Sequence, residues 1–399
     1  MSKKIAIVGG GAAGFFLAAN LKEMMPEADI TIMERGQRVL RKVEVSGGGR
    51  CNCTNTFRDV QDLQTVYSRG YRLMKRLMKG FNQQDAFQWF ERHGVPLVIQ
   101  EDQCVFPAAQ DSHAIIECLT STCRRHHVTI STNTEIKSLD ELRDFDFVAV
   151  TTGGQPNGHG LQWLSETGHE IEPPVPSLFT FNIDDRRLHD LMGTVVEAAL
   201  HIPSTKLRAE GPLLITHWGM SGPAALRLSS YAARYLAEHD YASPVSVNWC
   251  RMTEADVQEA LSQMAIRFPQ KRLTTISPCQ LSQRLWAHLA ERTLDIRSQM
   301  RWGEMGRKDI TRLTNTLTND LYQIAGRAAW KEEFVTCGGV SLKAVQPATL
   351  ESRHVPNLYF AGEVLDIDGV TGGFNFQAAW TTAYTVARSI AERITEHNQ

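Results

Sequence analysis

The sequence predicts an α/β fold in which both ends of the chain build one parallel-sheet domain and the middle forms an insertion. Three observations carry this. Near the N-terminus a four-residue apolar run, Ile5-Ala6-Ile7-Val8, is closed by three glycines. A second short apolar run, Leu358-Tyr359-Phe360-Ala361, leads through more glycines into a helical pattern. Between them the chain changes character after a proline cluster, Glu172-Pro173-Pro174-Val175-Pro176-Ser177-Leu178. Short, fully apolar runs suit strands buried on both faces of a parallel sheet. Clustered prolines favour an extended connector, here the exit from the first domain.

The elements follow in order. Residues 5–8 read as a strand, residues 12–25 as a helix ending near Pro26, and residues 29–33 as a second strand closed by Glu34. Residues 128–130 and 134–136 read as a further strand-like pair, followed by residues 145–150. In the middle, residues 195–202, 213–216 and 245–249 read as strands, with a helix of small residues starting near Pro223. From Glu254 to about Leu321 the pattern is helical and polar, as in residues 256–268 and 280–294. Residues 334–340 return to strand character, and residues 376–394 have the length and spacing of a closing helix. No repeat or low-complexity tract interrupts this order.

Composition narrows the function classes. The 399 residues are 42% hydrophobic and 22% charged, which excludes fibrous and disordered classes and leaves room for two to three domains. Forty-two Lys and Arg stand against 44 Asp and Glu, a net charge of -2, so no polyanion footprint shows in the total and no nucleic-acid partner is expected. No apolar run approaches the ~18 residues that span a bilayer. The start Met1-Ser2-Lys3-Lys4 lacks the long apolar stretch of a signal peptide. Eight cysteines are too dilute for a disulfide scaffold. A cytoplasmic protein without a membrane partner is the expectation.

Gly9-Gly10-Gly11-Ala12-Ala13-Gly14 matches G-x-G-x-x-G in the right setting, after a strand and opening a helix. Glu34 ends the next strand 20 positions after Gly14, as a dinucleotide fingerprint requires. Gly9 permits the tight turn, Gly11 lets backbone amides approach a pyrophosphate, and Gly14 allows close helix–strand packing. The helix N-terminus adds partial positive charge. Glu34 can accept from both hydroxyls of an adenosine ribose. A second motif, Ser46-Gly47-Gly48-Gly49-Arg50-Cys51-Asn52, comes too soon after Glu34 for the second helix of an NAD half-domain. Its three glycines expose backbone amides and Arg50 adds a bidentate cation, which suits a second phosphate or a flavin's polar edge. At the far end, Gly362-Glu363 closes a short strand and can hold a ribityl hydroxyl. Gly372, Gly373, Phe374 and Asn375 open the last helix, whose amides can face the flavin's pyrimidine carbonyl.

Taken together these motifs resemble the BaiN-like, aminoacetone-oxidase-type family of bacterial NAD(P)/FAD-dependent oxidoreductases. The matching segments are residues 7–14, 42–55, 216–223, 335–340 and 359–375, in the family's order over nearly the whole chain. The resemblance implies a Rossmann-like two-dinucleotide-type FAD domain carrying an inserted β-barrel domain and a small helical subdomain. It sets the bounds at 1–180, 181–252, 253–321, 322–335 and 336–399. It also implies tightly held, non-covalent FAD. By position, Ala13 and Gly14 would touch the pyrophosphate, with Gly9, Gly11 and Ala12 also in the cofactor site, Glu34 would meet the adenosine ribose, and Arg35 would lie over the adenine side. Lys42 and residues 46–52 would line the diphosphate and flavin, Ile136 would pair with adenine, and Thr152, Gly153 and Gly154 would sit nearby. Residues 362–375 would cover ribityl chain and ring. The loop Gln155-Pro156-Asn157-Gly158-His159-Gly160 is compressed against the family's longer one, which bears on the substrate side.

Other residues have plainer readings. Thr216-His217-Trp218-Gly219-Met220-Ser221-Gly222-Pro223 is either a second anion nest or a helix entry with Ser221 as cap and Pro223 in the first turn. Cys51 and Cys53 form C-x-C, which supports neither a dithiol redox pair nor a zinc knuckle, and no metal is expected. Cys337 either faces the flavin or fills the core as a small hydrophobe. His126 and His127 read as surface, and the Trp and Met residues as core. The expected activity is hydride transfer between FAD and a small organic substrate, with NAD(P)H as a visiting reductant. An oxygen-using amine oxidase and a non-catalytic flavin redox sensor are the alternatives, and RNA modification is a further one. Arg50 and His217 are the only candidate catalytic side chains.

Overall fold

β1 (Lys4–Val8) is buried at four of its five positions because strands flank it on both sides. The computed structural model describes residues 2–155, 158–327 and 335–397. β1 pairs with β2 (Asp29–Met33) on one side and with the strand Phe147–Val150 on the other, both in parallel. Thr129–Ser131 extends the sheet beyond β2, and Leu358–Phe360 extends it beyond Phe147–Val150. A sheet of five short apolar strands needs helices to cover it, and α1 (Ala12–Met24) packs on the closing helix Phe374–His397. Phe15, Phe16, Trp380 and Ile390 are among the side chains fully buried there.

The chain divides into two compact units, Met1–Pro176 with Trp330–Gln399, and Ser177–Ala329. In the second unit six strands close into a barrel, in the order Phe181–Ile183, Gly219–Ser221, Arg208–Thr216, Val195–His201, Ala242–Asn248 and Asp320–Arg327. Three helices, Glu254–Arg267, Gln283–Leu294 and Arg307–Thr318, lie between the last two barrel strands in sequence. Val257, Leu261, Leu285, Leu289, Leu313 and Leu317 are fully buried in this helical layer. Among the described residues, no helix is long and apolar enough to cross a membrane.

Three expectations change. Residues 134–136 are not a strand: Asn133 takes a left-handed turn (φ 55°), and the Asn133 and Thr134 amides bond Gly36 and Glu34 instead of a sheet neighbour. The helical stretch stops at Thr318, and Asp320–Arg327 is a barrel strand. Its alternation begins inverted, with Asp320 buried and Leu321 60% exposed, which hides the strand period inside a polar pattern. The proline cluster is itself a strand, Ile171–Ser177, in a two-stranded sheet with Val335–Val340. Such a narrow sheet asks few ladder donors of its prolines. Residues 328–334, part of the expected barrel return, lie outside the described residues, as does Phe334 of the expected strand.

Candidate functional site

The loop after β1 presents two different glycine environments. A Cβ on Gly14 would lie 2.2 Å from the Gly9 carbonyl oxygen, so the helix–loop contact demands glycine there. A Cβ on Gly11 would meet nothing within 4 Å. That open space lies at the N-cap of α1, where no side chain caps the helix. The first amides of α1 therefore remain available to an anion, with the helix dipole behind them.

Three strand ends gather around this loop. Glu34 Oε2 accepts from the Gly10 N–H (2.9 Å) and Oε1 from the Gly36 N–H (2.7 Å). Thr151 donates through Oγ1 to the Gly9 carbonyl (2.9 Å), fixing the end of Phe147–Val150 against the loop. Beside it, the Thr152 hydroxyl is buried and has no hydrogen-bond partner. At the end of Leu358–Phe360, Gly362 approaches α1 so closely that a Cβ would lie 2.8 Å from the Ala13 Cβ.

The second glycine loop closes the ring. α2 (Arg41–Gly49) breaks at Ser46, and Gly47 and Gly48 adopt left-handed backbone angles. Lys42 Nζ donates to Glu363 Oε2 (2.8 Å), and Glu363 Oε1 accepts from the Thr336 amide (2.7 Å). With its amide turned to satisfy its neighbours, Asn52 donates to the Thr54 carbonyl (2.9 Å) and accepts from the Gly373 N–H (3.2 Å). The left-handed glycines thus sit where one motif meets the other. Beneath them Asp368, fully buried, takes a two-pronged ion pair from Arg69. Burial acts to lower the Arg69 pKa, and Asp368 overrides it, so the guanidinium stays charged.

The cradle fits a dinucleotide. It offers uncapped helix amides over open space, a buried hydroxyl lacking a partner, and Lys42, whose half-exposed pairing with Glu363 can yield to a phosphate at small cost. The HI0933-like protein Rossmann domain model matches residues 3–389. The chain belongs to the HI0933-like family. It is similar to a protein of Haemophilus influenzae named ribosomal RNA dihydrouridine synthase, 28% identical over 414 residues, covering 97% of this chain and 98% of that protein. An Escherichia coli protein of the same name is 27% identical, covering 96% of this chain and 97% of its own length. A 3-dehydro-bile acid delta(4,6)-reductase of Clostridium scindens is also 27% identical, covering 98% of this chain and 99% of that protein. The HI0933-like family is a family of flavoprotein oxidoreductases, and this chain is one of its enzymes.

Within this HI0933-like cradle the structure brings together Gly9, Gly11, Ala12, Ala13, Gly14, Glu34, Lys42, residues 46–52, Thr152, Gly153, Gly154, Gly362, Glu363 and residues 372–375. Several side chains act otherwise than expected. Glu34 also braces the loop. The Asn375 amide donates to the Gly369 carbonyl (2.9 Å) and accepts its N–H (2.8 Å), so the backbone alone faces outward there. The Arg50 guanidinium lies over the Phe106 ring, 4.4 Å from its centre, and reaches Gln110 (3.3 Å). Arg35 is exposed and Ile136 half-buried past the turn at Asn133. His217 belongs to the other unit, exposed at the turn joining two barrel strands. Ser221 does not cap its helix, and its hydroxyl pairs with that of Thr180 (3.0 Å). Burial pushes the Cys51 thiol up to about 12, so it is inert at neutral pH. Pro156 and Asn157 of the compressed loop lie outside the described residues.

Sequence reasoning missed one cluster. The Cys337 sulfur and carboxylate oxygens of Asp366 and Asp368 lie within 4.8 Å of one another. Arg69 neutralises Asp368 there, so the Asp368 carboxylate is committed to an ion pair. The Asp-x-Asp spacing at 366–368 was the available signal.

Proposed function

We propose that this enzyme is an FAD-dependent reductase that takes electrons from NAD(P)H and saturates a carbon–carbon double bond conjugated to a carbonyl. The observation that carries the FAD assignment is the ring of contacts joining the first glycine loop, the left-handed loop at Gly47–Gly48 and the strand end at Gly362–Glu363. That cradle is built from three separated segments and extends well beyond one mononucleotide half. A single complete fingerprint leaves no resident place for a nicotinamide, so NAD(P)H is a visitor. The relatives' names support the reaction class. Dihydrouridine differs from uridine by reduction of a double bond conjugated to a ring carbonyl, and a delta(4,6)-reductase of a 3-dehydro steroid acts on the same kind of bond.

When bound, FAD would supply a hydride to the electron-poor carbon of such a bond, and the neighbouring carbon would take up a proton from water. The chain's own groups do the rest. The amides opening α1 bind the diphosphate, and Glu34 keeps acceptor capacity for the ribose beyond its two backbone bonds. The Thr152 hydroxyl gains the partner it lacks. The amides opening Phe374–His397 would face the flavin's pyrimidine edge, where negative charge gathers on reduction, and the dipole of that 24-residue helix would favour it. The Arg69–Asp368 pair holds the adjoining turn rigid. A reducing compartment, the cytoplasm, suits eight cysteines of which none forms a disulfide.

Anaerobic titration of the purified protein tests this. NADPH or NADH should bleach a flavin spectrum within seconds, a simple cyclic enone should restore it, and the cofactor released on denaturation should be FAD. A flavin that resists both nicotinamides and reoxidises only with oxygen, yielding peroxide, would overturn the reductase reading.

A further inference from the structure

All eight cysteines are free, and six of them are buried. The two that reach solvent, Cys250 and Cys279, have thiols hydrogen-bonded to each other, although they lie in separate segments of the chain. Cys250 follows the barrel strand Ala242–Asn248, and Cys279 precedes the helix Gln283–Leu294. The contact therefore joins the end of a barrel strand to the helical layer, with Glu254–Arg267 inside the loop that the two cysteines bracket.

The chain on either side holds each thiol in place. Fully buried Trp249 donates through its backbone N–H to Leu317 O (2.8 Å) and through its indole to Asp320 Oδ2 (2.9 Å). Asn248 Oδ1 accepts from the Cys250 N–H (3.2 Å) and Asn248 Nδ2 donates to Met252 O (2.8 Å), so one side chain clasps the turn that carries Cys250. On the facing segment the Leu281 N–H donates to Pro278 O (3.1 Å) and the Ser277 hydroxyl to Leu281 O (2.6 Å), closing a turn around Cys279. Cys279 and Gln280 are both left-handed there, with φ 54° and 58°, and Arg251 beside Cys250 has φ 53°. Residues with a Cβ take that conformation only against a steric cost. Two tight, well-bonded turns thus present their sulfurs to each other, and little ordering remains before a bond could form between them. The two thiols also differ in character. The Cys250 S–H donates to the Cys279 sulfur, which holds the Cys279 thiol below its ordinary value, while the same bond and burial raise that of Cys250. Elsewhere burial pushes Cys118 and Cys123 up to about 12 and Cys104 to about 11, so they stay protonated and inert. A thiolate with a protonated neighbour is the arrangement of a nucleophilic and a resolving cysteine.

We infer that Cys250 and Cys279 form a reversible thiol–disulfide pair, closed by hydrogen peroxide, that pins the helical layer to the barrel. The Cys279 thiolate attacks one peroxide oxygen, the O–O bond breaks, and the departing hydroxide takes up a proton to leave as water. The Cys250 sulfur then attacks the sulfenic sulfur of Cys279, its proton goes to the departing hydroxyl, and a second water leaves. Two thiols and one peroxide become one disulfide and two waters, with two electrons passing from the sulfurs to the peroxide oxygens. The closed bond ties the approach to Gln283–Leu294 to the end of Ala242–Asn248 and constrains the unfolded chain over the intervening loop. A metal held between the thiols is disfavoured, because among the described residues no His, Asp, Glu or further Cys joins them to complete a ligand set. The inference does not depend on the reductase reading.

The test uses the flavin-loaded protein, fully reduced and then given a small excess of hydrogen peroxide. Tryptic digestion without reductant should yield residues 235–251 joined to residues 273–284, each stretch holding a single cysteine, and dithiothreitol should separate them. Closing the bond should raise the melting temperature by about 5–10 °C, reversibly with dithiothreitol. C250S should stop at the sulfenic acid, trapped by dimedone at Cys279 at least about tenfold faster than at any other cysteine, and C279S should give no adduct at Cys250. Both variants, kept reduced, should melt within about 2 °C of the parent and show neither the joined peptide nor the peroxide-induced rise. The first arm uses the unaltered protein and stands whatever the variants do. Peptides that stay separate after peroxide, a disulfide between another pair, or adducts spread evenly over the cysteines overturn the pair. A closed bond with no rise in melting temperature overturns the pinning of the helical layer.

Discussion

The two units solve opposite problems. The cradle unit arranges uncharged backbone: open space before Gly11, left-handed glycines at 47–48, and amides at two helix starts, on a body with an excess of carboxylates. The barrel unit keeps its backbone satisfied in a closed ladder and shows its distinctive chemistry as side-chain charge at one edge of a helical layer. The difference teaches where each function is written. The cradle works through backbone geometry, which at Gly14 and Gly362 admits no added atom, whereas the barrel unit works through side-chain charges whose positions can vary.

Variants in both units sharpen or break that contrast. The largest effect belongs to Asp368→Ala, which leaves Arg69 buried without its partner at a cost of about 3–5 kcal/mol, read as a loss in urea midpoint. Replacing both by apolar residues should restore most of it. Gly14→Ala forces a Cβ into the Gly9 carbonyl and should cost about 1–3 kcal/mol, together with flavin content after purification. An equivalent small-to-large change at Gly11 should keep the fold and lose only the cofactor. Glu34→Gln retains one acceptor for the loop and turns an NH2 toward the other backbone N–H, so it should weaken FAD retention about tenfold and also cost the apo protein about 1–3 kcal/mol, read as a lower melting temperature. Unchanged FAD occupancy would remove Glu34 from the ribose.

Two histidines, the buried His169 in one unit and the half-buried His288 in the other, contribute to the acid limb. His169 has its pKa lowered by burial, and its ring is bonded to Leu164 O and Ser352 Oγ (2.8 Å). His288 is likewise lowered by burial and by Arg292. In the unfolded chain both titrate near 6.5, and in the folded protein lower, so the unfolded state binds more protons as pH falls through that region. Stability is full above about 6.5 and declines as the pH falls below it. His169→Gln should flatten that decline, and a melting curve at each pH checks it. The smallest effect is Ser221→Ala, expected within about 0.5 kcal/mol because no cap bond is lost.

Much of the cradle was legible because glycine spacing, a terminal acid and short apolar runs are local signals. The fingerprint from Gly9 to Glu34 and the segment around Gly372 needed no tertiary information. What escaped was tertiary. The Arg69–Asp368 pair joins residues 299 positions apart, and nothing in either neighbourhood announces the other. The double duty of Glu34 depends on where Gly10 and Gly36 fold. Ser221 has every sequence mark of a cap, yet Thr180 captures its hydroxyl. The concentration of Lys and Arg in residues 266–272 and 300–308 escaped for a different reason, since summing charge over 399 residues cancels a local excess against a distant deficit.

The division of the cradle unit by an insertion has a consequence during synthesis. Residues 177–329 are one continuous stretch, whereas Phe147–Val150 waits some 200 residues for its neighbour Leu358–Phe360. At about 5–20 residues per second that interval is roughly 10–40 s. The barrel emerges whole before the sheet has its last strand, and the nascent chain meanwhile carries an unpaired, apolar sheet edge of the kind that chaperones and neighbouring chains recognise.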